Sequence, residues 1–365
     1  MRLVDVIRYF ETQVSGYLQE DYDNSGLITG NPEMEIEKAL ICLDVTDAIL
    51  DEAIRDNVSL VISHHPLIFS GIRKLNSQAY PDRVLIRAIK HDIAIFAIHT
   101  NLDNQASGVN FYLAKAMGLE NLRILAPRKG LLRKLVVFCP VSHAENVRNA
   151  LFMAGAGHIG QYDSCSFNLE GQGTFRAGPE ANPFVGETGK LHRENEIRIE
   201  TLYPVYLEQK IVKEMLLAHP YEEVAYDVYP IENKYDSVGA GMIGELPDAH
   251  DQSGFLEYLK NKLALPLIRH SPFTAKKIKK VAICGGSGSF LLKNAVAAGA
   301  HAFITSDIKY HQFFDADKNI FLADIGHYES ERFTKDLIFD LLKKKFPNFA
   351  VRISEINTNP VRYFS

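Results

Sequence analysis

Leu60-Val61-Ile62-Ser63-His64-His65, followed by Pro66, opens as an unbroken apolar run and closes on a serine and two histidines. Two further runs have the same grammar: ALICLDV (39–45) and IAIFAIH (93–99). Short runs that are apolar at every position suit strands covered on both faces, as in a parallel sheet. Helix-like stretches near 47–56, 82–91 and 108–118 separate them, so residues 1 to about 125 read as successive βα units. Val4, Ile7, Phe10 and Val14 stand at helical spacing and make the amino terminus an amphipathic helix, not a signal peptide.

Working outward, residues from about 236 to 365 repeat the pattern. KKVAICG (279–285), AFITSD (302–307), IFLADIG (320–326) and AVRISEI (350–356) are the predicted strands. Helices are predicted over 289–299 and 328–345, the second ending in Lys343–Lys345, where cations complement the helix dipole. Residues 126–235 differ. RKLVVFCPV is a strand, HAENVRNALFMAG a helix, and HIGQYDSCSFNLEG with QGTFRAG a hairpin. EIRIETLYP is a strand, VYLEQKIVKEMLLAH a helix and EEVAYDVYPI a last strand, with GPEANPFVGETGK (178–190) as an exposed loop. The order βαββαβ is ferredoxin-like. The expected architecture is one α/β domain built from 1–125 and 236–365, split by an inserted α+β domain at 126–235.

Composition sets the outer bounds. With 365 residues, 46% hydrophobic and 23% charged, the chain is globular in type, and collagen-like, coiled-coil and disordered classes are excluded. Forty Lys+Arg against 45 Asp+Glu give a net charge of −5, which argues against a broad electrostatic grip on nucleic acid. The four cysteines form no C-x-x-C pair, so the expectation is a reducing cytoplasm with neither zinc ribbon nor disulfide framework. No apolar run reaches bilayer length, and no membrane association is expected.

Three polar clusters follow predicted strands, at the strand ends where α/β proteins build sites. His64 and His65 would face opposite ways in a regular strand, but a chain turning before Pro66 can direct both imidazoles to neighbouring ions; a pair of surface histidines is the plainer alternative. His99 and Asp103, in HTNLD, can share one cleft, although Asp103 would also serve as a loop cap. His327 and Glu331 stand at i and i+4, a metal half-site on one helical face, while a carboxylate complementing the helix dipole would explain Glu331 alone. Three imidazoles and two carboxylates without a thiolate suit two first-row ions sharing a carboxylate and a water. The turn CGGSGSF (284–290) follows a strand and opens a helix, so Gly285, Gly286, Ser287 and Gly288, with Lys309, are candidate anion contacts, or simply a tight turn. Asp44 and Asp307 end other predicted strands. There is no G-x-S-x-G elbow.

SHHPLIF (63–69), HTNLD (99–103), CGGSGS (284–289) and GHYESE (326–331), in that order, resemble the GTP cyclohydrolase 1 type 2 homologue family, also called Nif3-like proteins. The middle resembles the insert of the longer bacterial members, similar to PII-like and divalent-cation-tolerance proteins, most of all in HPYEEVAYDVYPI (219–231). The resemblance implies a toroidal homohexamer with a dinuclear metal centre facing an internal cavity. It implies that His65 and Asp103 hold one ion, His64 and His327 the other, with Glu331 bridging and His99 close by as a proton-transfer group. Two divalent transition-metal ions per subunit are expected, zinc foremost, with manganese, iron, cobalt and nickel also compatible with an N/O set. The family name implies GTP ring opening, but the motifs do not resemble those of established GTP cyclohydrolases. The expected activity is metal-dependent hydrolysis of a nucleotide or related phosphorylated small molecule, with His99 and Glu331 in catalytic roles. The alternative is a metal- or metabolite-binding regulator or scaffold with a PII-like sensor.

Overall fold

A computed structural model describes residues 1–274 and 276–364. In chain order the strands are β1 (Gly26–Thr29), β2 (Lys38–Cys42), β3 (Leu60–Ser63), β4 (Ala94–Ala97) and β5 (Glu120–Arg128). Then follow β6 (Leu132–Pro140), β7 (Ser166–Arg176), β8 (Leu191–Pro204) and β9 (Tyr226–Ile231). The last are β10 (Tyr235–His250), β11 (Arg269–His270), β12 (Ile278–Ser287), β13 (Ala302–Ser306), β14 (Phe321–Asp324) and β15 (Ala350–Ile353). The chain divides into two compact units, residues 1–127 with 237–365, and residues 128–236.

The first unit is mixed α/β with two sheets. One has the order β1-β4-β3-β2-β15. Its strands β15, β2, β3 and β4 are mutually parallel, and β1 is antiparallel on the edge. Ile41, Leu60, Ile62 and Phe96 pack on one face with the helices Leu3–Gln13 and Thr334–Lys345. Leu40, Val61 and Ile95 pack on the other with the helices Asp47–Arg55 and Tyr80–Lys90. Both faces are covered, which is why these strands are apolar at every position. The other sheet, β11-β14-β13-β12-β10-β5, holds the parallel set β12, β13 and β14, again apolar on both sides.

The second unit runs β6, helix Ala144–Ala154, β7, β8, helix Glu208–Ala218, β9. Its antiparallel sheet has the order β7-β8-β6-β9. Leu135, Val137, Ile199 and Val147 close a core with Leu151, Ile211 and Met215 from the helices.

Two sequence expectations are corrected. SFNLEG and QGTFR do not fold back on each other; they form the single strand β7, whose partner across the loop 177–190 is β8. The helix predicted over 328–345 is two helices, His327–Glu331 and Thr334–Lys345. The amino-terminal helix forms as read, Leu3–Gln13, and buries Leu3, Val6 and Phe10, with Val14 buried just past its end and Val4 and Ile7 only partly covered. Strands β5 and β10 escaped sequence reading, β10 because Gly239, Gly241, Gly244 and Pro247 look like a loop. Those glycines allow close approach of the neighbouring strand: a Cβ on Gly244 would stand 2.8 Å from the carbonyl of Glu120.

Candidate metal centre

The carboxyl ends of both parallel sets converge. Asp44 follows β2, His64 and His65 follow β3, and His99 follows β4. From the other sheet, Gly286 lies at the end of β12, Asp307 follows β13 and His327 follows β14. Ligand sites gather at such ends because backbone regularity stops there and side chains are free to turn inward.

The two adjacent histidines do point to one place. After Ser63 the strand ends, the Ser63 hydroxyl donates to the carbonyl of His65 at 2.8 Å, and the two rings stand 4.9 Å apart at 44°. The His64 ring is fully buried; its Nδ1–H donates to the carbonyl of Ile98 at 2.9 Å. That bond leaves Nε2 as the free lone pair, 3.6 Å from Asp103 Oδ1 and 3.8 Å from Glu331 Oε1. His65 Nδ1 is 2.7 Å from Asp44 Oδ1, and its Nε2 lies 2.9 Å from Glu331 Oε2. His327 is held the same way, Nδ1 on Asp307 Oδ2 at 2.6 Å and Nε2 3.0 Å from Glu331 Oε2. The Nε2 atoms of His65 and His327 are 3.3 Å apart. His99 Nδ1 sits 2.7 Å from Asp23 Oδ1, and its ring stands edge-on to those of His64 and His65.

His64, His65 and His327 therefore each have Nδ1 fixed by an oxygen acceptor and Nε2 turned toward the cluster, the arrangement that orients histidine for metal ligation. Ligand atoms of His64, His65 and His99 lie within 4.8 Å of one another, as do those of His65, His327 and Glu331. His64 Nε2 and Asp103 Oδ1 are buried with no hydrogen-bond partner. A buried polar atom without a partner is costly, and two lone-pair-bearing atoms that face each other suit a shared cation. A cavity of about 1140 Å³ opens onto the cluster and is also lined by Tyr22, Phe69, Phe290 and Tyr363.

A family model for Duf34/NIF3 (NGG1p interacting factor 3) matches residues 1–360. The chain belongs to this family. A relative from Halalkalibacterium halodurans, named GTP cyclohydrolase 1 type 2 homolog, is 37% identical over 363 residues, covering 98% of each chain. A Bacillus subtilis protein of the same name is 37% identical, covering 98% of this chain and 97% of its own. The crystal structure of a Bacillus cereus protein related to NIF3 superposes with a TM-score of 0.87 at 38% identity, covering 100% of this chain and 99% of that one.

In this NIF3-family chain the carboxylates and imidazoles of the cluster shift one another's titration. Burial opposes the protonated His65, but the carboxylates of Asp44 and Glu331 outweigh it and raise its pKa to about 10. For His327 the same opposition by burial is overcome by Glu331 and Asp307, to about 11. His64 goes the other way: burial pushes it down to about 4 despite Glu331. Burial and the neighbouring Glu331 raise the Asp103 carboxyl. Glu331 is held low, against its burial, by His327, His64 and His65. Asp23 is likewise lowered, against burial, by hydrogen bonds from His99 and Thr100.

The sequence left the glycine turn open as an anion cradle or a tight turn, and its amides are taken up within the fold. The amides of Gly285, Gly286 and Gly288 already donate to Asn110 Oδ1, Ser330 Oγ and Thr305 Oγ1, each at 2.9 Å. Gly286, at φ +62°, makes room: a Cβ there would lie 2.2 Å from Glu331 Oε1. Gly285 and Ser287 line the cavity, whereas Lys309 is exposed and outside that lining. Among the ligand candidates, His64 Nε2 lies 3.6 Å from Asp103 Oδ1, and His65 Nε2 lies 3.3 Å from His327 Nε2. Asp44 and Asp307 carried only a weak sequence signal, as residues at strand ends. Asp23 carried none, because it lies in the polar stretch EDYDNSG and reaches His99 across 76 residues.

Proposed function

We propose that this chain is a di-metal-dependent hydrolase acting on a nucleotide or related phosphorylated small molecule. The observation that carries the reading is the pair of orphaned, facing atoms His64 Nε2 and Asp103 Oδ1 beside a second set, His65 and His327, with Glu331 between. On these distances His64 and Asp103 would hold one ion, His65 and His327 the other, and Glu331 would offer one oxygen to each. Two divalent ions bound there would supply Lewis acidity and a water ionised near neutral pH. Asp44, Asp307 and the carbonyl of Ile98 hold the imidazoles in register for that purpose. His99, fixed by Asp23, presents an imidazole to the cavity and is positioned to hold or move a proton at Nε2. The aromatic side chains Tyr22, Phe69 and Phe290 offer faces on which a heterocyclic base can stack.

Zinc, manganese, iron, cobalt and nickel all accept this donor set. In the same reading the 128–236 unit is a ferredoxin-like, PII-like insert, supported by its element order and by the strand order β7-β8-β6-β9. The protein assembles as a homohexamer in the cytoplasm, where its four free cysteines stay reduced. Among the described residues no helix is long and apolar enough to cross a membrane. The test is a turnover screen of GTP and other nucleotides with metal-reloaded protein, alongside Glu331→Gln. Hydrolysis lost in the variant is the expected result. Metal uptake with no turnover of any nucleotide would overturn the hydrolase reading in favour of a metal- or metabolite-binding regulator.

A further inference from the structure

The chain does not end at its last strand. Beyond β15 the backbone is tied to the site's own sheet, with Ser354 N–H donating to the carbonyl of Ile41 at 2.8 Å. The segment then runs along the carboxyl ends of the strands. Thr358 Oγ1 donates to Asp44 Oδ2 at 2.7 Å. The other oxygen of that carboxylate, Oδ1, accepts from His65 Nδ1 at 2.7 Å. Asn359 is buried and donates from Nδ2 to Glu329 Oε1 at 2.9 Å, on the helix that also carries His327 and Glu331. Pro360, Val361 and Tyr363 then line the cavity.

We propose that this carboxy-terminal segment is a working part of the centre, in which Thr358 is a positioning residue that acts through Asp44 to orient His65. A carboxylate bonded at one oxygen alone can rotate about its Cβ–Cγ bond and carry the imidazole's donor direction with it. A hydroxyl on the second oxygen stops that rotation and holds His65 Nε2 toward His327 and Glu331. The contact is specific to one half of the site, because His64 is held by a backbone carbonyl and not by Asp44. The inference rests on the two-metal reading.

The experiment is titration of the metal-free, full-length protein with Co²⁺, followed by its visible absorption, for wild type, Thr358→Val, Thr358→Ser and Asp44→Asn. Valine matches threonine in shape and removes only the hydroxyl. The expected result is two binding steps in wild type, of which one weakens about tenfold in Thr358→Val while the other is unchanged. Thr358→Ser should restore the weakened step, and adding Thr358→Val to Asp44→Asn should cost nothing more, since both act through one carboxylate. Two unchanged steps in Thr358→Val, or two equally weakened ones, would overturn the positioning role. Fewer than two Co²⁺ per wild-type chain would overturn the two-metal reading and this inference with it.

Discussion

At the residue scale, the centre depends on which atom of each side chain is free. Glu331 faces three imidazoles and has no substitute, so Glu331→Gln is expected to abolish uptake of both ions, as read by elemental analysis against wild type. Gly286→Ala places a methyl against the Glu331 carboxylate at a left-handed backbone position. Lower metal content together with a lower Tm is the expected outcome, and unchanged values of both would show that the carboxylate has room to move. The raised pKa values of His65, about 10, and His327, about 11, set a pH dependence. The carboxylates around them favour the protonated imidazoles in the metal-free protein, and a protonated imidazole cannot ligate. Metal uptake must therefore release protons, and affinity should rise with pH between about 6 and 9, by up to about tenfold per unit for each proton displaced. Calorimetry in buffers of different ionisation enthalpy would count the protons; a count of zero would contradict the raised titration of His65 and His327.

At the scale of elements, the histidine pair is only as well placed as the strand that ends beneath it. Ile62 is fully buried in β3, one residue before Ser63 and in the middle of the four parallel strands. Ile62→Ala should cost ~2–5 kcal/mol of stability, measured by chemical denaturation, and a value under ~1 kcal/mol would mean that the sheet collapses to fill the space. The break between the helices His327–Glu331 and Thr334–Lys345 matters equally. The short first helix sets His327 and Glu331 on one face and ends there, so the longer helix can follow the sheet with Leu337, Ile338 and Leu342 in its core. The i, i+4 spacing was legible in sequence, whereas the break was not, because Arg332-Phe333 contains no glycine or proline to announce it.

At the scale of the whole molecule, the two compact units have separate cores. Residues 128–236 bring their own apolar layer of Leu135, Val137, Val147, Ile199 and Ile211. Expressed alone, this stretch is expected to unfold cooperatively, followed by circular dichroism on heating. A featureless thermal trace would show that it depends on the rest of the chain.

Much of this protein follows from local pattern. Short runs apolar at every position, such as residues 60–62, suit strands covered on both faces, and that reading led to the parallel sheets and to polar residues at their carboxyl ends. His64, His65, His99, Asp103, His327 and Glu331 could be named because each ends such a run or opens the helix after it. Tertiary structure alone decided which groups hold them. Asp23 reaches His99, Asp307 reaches His327, and Thr358 reaches Asp44 across 314 residues. Strand periodicity is a property of neighbours in the chain, whereas a hydrogen bond between loops of two sheets depends on how those sheets pack, and no local spacing encodes it. The glycine turn shows the same limit: its residues suggested an open set of amides, and only the fold showed those amides already bonded and the space filled by Glu331.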